Sequence, residues 1–116
     1  EIMNSRWLFA PLFSLLMATS VQAEGITEPQ YKAIKKLGEL NGVALNCRYL
    51  AETQRMKKAL VLALPKRRQF GEVFDTETNN AFLAFIEQKK ACPDEQALST
   101  EVDSAILVLD SVFPKQ

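Results

Sequence analysis

The side chains of this chain best suited to covalent chemistry are two cysteines, Cys47 and Cys92, and there is no histidine at all. A redox pair commonly sits as Cys-x-x-Cys, and a structural zinc site needs four ligands. Two distant thiols with no imidazole meet neither requirement. Cys47 and Cys92 therefore read as one structural disulfide that closes a loop of about 45 residues, worth about 4 kcal/mol in the chain-entropy model. The lack of histidine also removes histidine-based triads and bases. Paired carboxylates can hydrolyse glycosides, but none of the 14 Asp and Glu residues is singled out by its neighbours. The expectation is a non-enzymatic protein with no catalytic residue, no metal ligand and no cofactor.

Charge supplies the next candidates. Arg55, Lys57, Lys58, Lys66, Arg67 and Arg68 form a basic segment, with no acid between Glu52 and Glu72. Such a run suits docking on an anionic partner, either an acidic protein surface or lipid head groups. The plainer reading is a solvated helix end whose bases complement the helix dipole. Most acids come later, at Glu72, Asp75, Glu77, Asp94, Glu95, Glu101, Asp103 and Asp110. If that polarity survives folding, opposite faces pair between copies as a homodimer or head to tail. With 14 basic and 14 acidic residues the chain is neutral, so no overall field draws it to nucleic acid. Phe70, Phe74, Phe82 and Phe85 fit an apolar-ligand pocket or, more simply, a core. Residues 75–80 read either as an exposed recognition loop or as the polar face of a helix.

The elements that position these residues follow a leader. Arg6, the apolar run Trp7–Met17 and the small residues of Val21-Gln22-Ala23 match a secretory signal peptide over Met3–Ala23, with Glu1 and Ile2 as an extraneous pair before it. The apolar run is short of the about 20 residues that span a bilayer. No cysteine offers a lipid anchor there, and a single arginine argues against twin-arginine export. The expected division is 1–23 as leader and 24–116 as one small domain, exported to the periplasm or secreted.

The domain reads as all-α, a disulfide-linked bundle of four to five helices. Thr27-Glu28-Pro29-Gln30 forms a capping box, and Tyr31, Ile34, Leu37 and Leu40 recur on one helical face. Gly38 and Gly42 weaken that helix and predict a bend or break near Asn41-Gly42. Val43–Ala63 is the second helical region. It holds Cys47 and the expected core residues Leu50, Leu60 and Leu64, and ends at Leu64-Pro65. Pro65 fits the start of the next helix. Phe70, Val73, Phe74, Ala81, Phe82, Phe85 and Ile86 share a stripe, read as two elements with a kink at Asp75-Thr76. Cys92-Pro93-Asp94-Glu95 opens the last helix. Leu98, Val102, Ala105, Leu109 and Val112 form its face, and Pro114 stops it. The disulfide would thus join the second helix to the start of the last.

In leader, size, helicity and cysteine placement the chain is similar to two kinds of small periplasmic protein. One is the acid-stress chaperones of enteric bacteria, and the other is the immunity proteins that neutralise secreted amidase effectors. The resemblance implies either dedicated binding to one protein target or a chaperone whose carboxylates protonate near pH ~4 and loosen the domain. The functional expectation is an exported protein-binding or inhibitor-type domain whose partner has an acidic surface, without stable membrane insertion after leader cleavage. An acid- or stress-activated chaperone and a small apolar-ligand carrier are the alternatives.

Overall fold

The computed structural model describes residues 25–115. The leader expected over Met3–Ala23, and residue 116, lie outside the described residues. Four helices follow in order: α1 (Glu28–Asn46), α2 (Leu50–Ala63), α3 (Arg68–Glu87) and α4 (Glu95–Val112). Among the described residues there is no strand. The protein is all-α, and Cys47 and Cys92 are bonded, with Cα atoms 5.7 Å apart.

Local chemistry explains the starts. Thr27 Oγ1 accepts from the Gln30 amide, and Gln30 Oε1 accepts from the Thr27 amide, so the capping box is complete. Asp94 accepts from the Gln96 and Ala97 amides at the head of α4. The ends of α1 and α3 are alike. Arg48 (φ 63°) and Lys89 (φ 54°) are left-handed. Each end closes by two bonds, Tyr49 N–H to Ala44 O with Arg48 N–H to Leu45 O, and Lys90 N–H to Phe85 O with Lys89 N–H to Ile86 O. These are Schellman turns built without glycine.

α1 lies at the centre. α3 packs on it almost alone, whereas α2 and α4 pack on α1 and on each other. Ile34, Leu37, Met56, Leu98, Val102 and Leu109 are buried at the shared core. Phe70 and Phe113 meet edge to face at 5.8 Å and tie the start of α3 to the end of α4.

Several expectations need correction. α1 does not break at Asn41-Gly42 but runs through it to Asn46. Gly38 and Gly42 are buried against α3. A methyl group at 38 would stand 2.7 Å from Glu77 Cβ, and one at 42 would stand 2.7 Å from both Ala81 Cβ and the Phe82 amide nitrogen. The glycines let two backbones approach closely, which outweighs their poor helix propensity. Residues 43–46 therefore finish α1, and Cys47 caps it. The disulfide ties the end of α1, not the second helix, to the segment before α4. α3 is one helix without a kink at Asp75-Thr76, and Pro65 lies in the turn before it. Leu50 and Ile86 are exposed rather than core.

Between the glycines sits a buried polar hub. Asn41 is 2% exposed. Its Oδ1 accepts from the Thr53 hydroxyl of α2 at 2.7 Å, and its Nδ2 donates to Thr78 of α3 at 3.2 Å. One amide thus ties three helices with its buried polar atoms satisfied.

The glycine contacts make a signed prediction. Gly42→Ala should destabilise the fold by about 1–3 kcal/mol in urea melts, despite alanine's better propensity, because α3 must move. Gly71→Ala, in open space on α3, should stabilise by up to about 1 kcal/mol. Stabilisation by both would show that the helices are not in close contact.

Candidate functional site

Folding sorts the basic segment by helical phase. On α2, Glu52, Thr53, Met56 and Leu60 face inward. Arg55 flanks that face and turns towards α4. Its Nη2 and Nε donate to Glu52 Oε1 at 2.8 and 3.1 Å, its Nη1 donates to Asp103 Oδ1 at 2.8 Å, and its Nη2 also reaches the Ser99 carbonyl at 3.2 Å. Glu52 is 7% exposed, so this guanidinium satisfies a buried carboxylate and staples α2 to α4. The Glu52 hydrogen bond above all holds Arg55 above its ordinary pKa, with burial opposing and Asp103 adding. A base raised on folding loses its stabilising effect only as pH rises through the raised value. Arg55 therefore stays charged at ordinary pH, and the staple opens only when its carboxylates are protonated. On α1, Glu77 and then Glu39 raise the exposed Lys35 in the same direction.

The other bases gather at one end of the bundle. Lys57 and Lys58 are exposed on α2, and Lys66, Arg67 and Arg68 on the turn into α3. Among the described residues Lys57, Lys58 and Arg68 have no ion-pair partner. Lys66 Nζ lies 3.5 Å from the Val61 carbonyl, and the Arg67 guanidinium stands 5.8 Å from the centre of the Phe70 ring. The bases border apolar surface. Lys57, Leu60, Val61, Phe74 and Asp75 line a groove of ≈ 460 Å³ between α2 and α3. Leu62, Ile106, Asp110, Phe113 and Lys115 line another of ≈ 710 Å³ between the ends of α2 and α4. Val61, Leu64, Pro65 and Lys66 belong to both, so residues 61–66 form a ridge between two hollows.

The remaining candidates have structural roles. Phe70, Phe74 and Phe85 are buried and Phe82 is half-buried. Residues 75–80 are helix, not loop: Thr78 is in the polar hub, and Glu77 accepts from Tyr31 O–H at 3.2 Å. Among the described residues no three His, Cys, Asp or Glu side chains are placed to hold a metal ion. No helix among them is long and apolar enough to cross a membrane. The sequence reading missed Val61 and Leu62, which are 64% and 76% exposed. Their signal was an apolar run, residues 59–64, too continuous for one buried stripe.

Substitution separates the two kinds of base. Arg55→Met should lower stability by about 1.5–3 kcal/mol, because it strands the Glu52 carboxylate. Lys58→Met and Arg68→Met should stay within about 0.5 kcal/mol of the parent. Equal losses at all three positions in denaturant melts would contradict this division.

No family model, curated protein or solved structure matches the chain. What it does has to be read from its own surface.

Proposed function

We propose that this is a small exported, non-enzymatic docking protein whose working surface is the basic, apolar end built from residues 57–68. One observation carries the reading. Leu62, the most exposed large apolar side chain among the described residues, lies between Lys57 and Lys58 on one side and Arg68 on the other, none of which has an ion-pair partner there, while Arg55 of the same segment is held by Glu52 and Asp103. Exposed apolar groups beside unpaired cations suit a partner that is anionic and partly apolar. Export is supported by the leader pattern and by the disulfide, which persists in oxidising compartments.

A photo-crosslinking amino acid at Leu62 tests this in the native extracytoplasmic fraction. The expected result is an adduct with another molecule, protein or lipid, from position 62 and none from the exposed position 79 on α3. Equal labelling from both would remove the docking surface.

A second reading, the acid-activated chaperone, is favoured by a different observation. Several polar links between helices run through carboxylates: Glu77 to Tyr31 and Lys35, Asp103 to Arg55, Glu101 to Lys36. Loss of those carboxylate charges would weaken all three links. This reading expects less light scattering from an unfolding client near pH ~3 when the protein is present, and unchanged scattering would remove it.

A further inference from the structure

Resting on the docking reading above, the geometry points to a specific partner: the surface of an anionic phospholipid bilayer, met by the 57–68 end of the bundle. α2 shows why. Gln54, Lys57, Lys58, Val61 and Leu62 recur at helical spacing and are all exposed, so they share the outward face. Along the helix that face passes from polar to basic to apolar, and the apolar part comes last. The apolar run over residues 59–64 exceeds what the fold can bury. Leu60 goes inward at 6% exposure, and Val61 and Leu62 point away at 64% and 76%.

The shape favours a membrane over an acidic protein. The apolar groups stand on a ridge between two hollows rather than in a pit. Lys57 and Lys58 lie about one helical turn, ~5 Å, behind that ridge. Lys66 and Arg68 follow it at once in the sequence. A ridge that enters the head-group layer by about 5–10 Å leaves the ammonium and guanidinium groups level with lipid phosphates. The nearby acids are Glu72 and Asp75, about 6 and 10 Å along α3 from its start, Glu28 in the first turn of α1, and Asp110, in the hollow against α4. Cations outnumber them, and Lys115 adds one more at the end of α4.

Chain connectivity agrees. Gln30 Nε2 donates to the Val112 carbonyl at 3.1 Å, so α1 begins where α4 ends. The Phe70–Phe113 contact brings the start of α3 to the same place. The start of α1, the start of α3 and the end of α4 therefore all lie at the end that carries the ridge.

Vesicle flotation of the full chain tests the assignment. The protein should float with phosphatidylglycerol vesicles and much less with phosphatidylcholine vesicles, and salt raised from about 0.1 M to about 1 M should release it. Lys58→Glu, Lys66→Glu and Arg68→Glu should each lower partitioning about fivefold or more. The pair Val61→Asn and Leu62→Asn should lower it about tenfold. Lys89→Glu with Lys90→Glu, at the disulfide end, should leave it unchanged. Equal flotation on neutral and anionic vesicles, or parent-like flotation of the ridge variants, would overturn the proposal. So would a position 62 crosslink that captures only a protein or the chain's own residues 1–24. A protein adduct there, without flotation, refutes the lipid partner while keeping the docking surface; no adduct at all refutes the docking surface itself.

Discussion

The backbone contact between α1 and α3 at Gly38 and Gly42 is the constraint on which the rest of the structure depends. With an added methyl only 2.7 Å from α3 atoms at either glycine, α3 sits in a trough that two missing side chains create. That closeness brings Thr78 within 3.2 Å of Asn41. Asn41 in turn reaches Thr53 on the other side of α1. A wider spacing would leave the Asn41 amide and the Thr78 hydroxyl without each other in a buried site, at a cost of about 1–3 kcal/mol. The glycines thus set a distance, and the polar hub makes that distance specific. Because α3 leans on α1 almost alone, its start needs a second tether, which Phe70 supplies against Phe113.

How much of this was legible in the sequence depended on whether the signal was local. The Thr27–Gln30 box, the Asp94 cap and the α4 stripe were readable because each acts within one or two turns of its own helix. The glycines misled because propensity is a local penalty, while close approach is a property of two helices. The ends of α1 and α3 gave no signal, because Arg48 and Lys89 occupy left-handed positions where glycine is usual. That hid the turn at residues 47–49 and assigned Cys47 to the wrong helix. Residues 75–80 could be read as a loop or as the polar face of a helix because their polar groups dominate, and Thr78 and Glu77 are the two that bond to α1.

The two ends of the bundle have different chemistry. At one end the disulfide, the Tyr49 hydroxyl donating to the Pro93 carbonyl at 2.8 Å, and two Schellman turns hold the loops. The cross-link encloses α2 and α3 together, so their end-to-end freedom in the unfolded chain is reduced by about the 4 kcal/mol expected for that loop. At the other end the core closes through Phe113, with Ala63 and Leu64 packed against it and Val61 and Leu62 left exposed. The cross-link lies at the end opposite the ridge, and Val61 and Leu62 are apolar groups that the core does not take in.

Bonding partners, more than adjacency, give the basic segment its meaning. In sequence, Arg55 stands beside Lys57 and Lys58. Lys57 lies about 200° round α2 from Arg55, but Lys58 is only about 60° away, so what sets Arg55 apart is its bonds to Glu52 and Asp103 and not its position alone. Arg55 lands against Asp103 and holds a buried Glu52. The lysines land on the outward face with Val61 and Leu62. A run of six cations is therefore one structural cation and a separate cluster around an apolar ridge. The exposed bases and the exposed apolar residues, read apart, each have a bland explanation. Their coincidence on one face is what folding does not explain and what an anionic surface would.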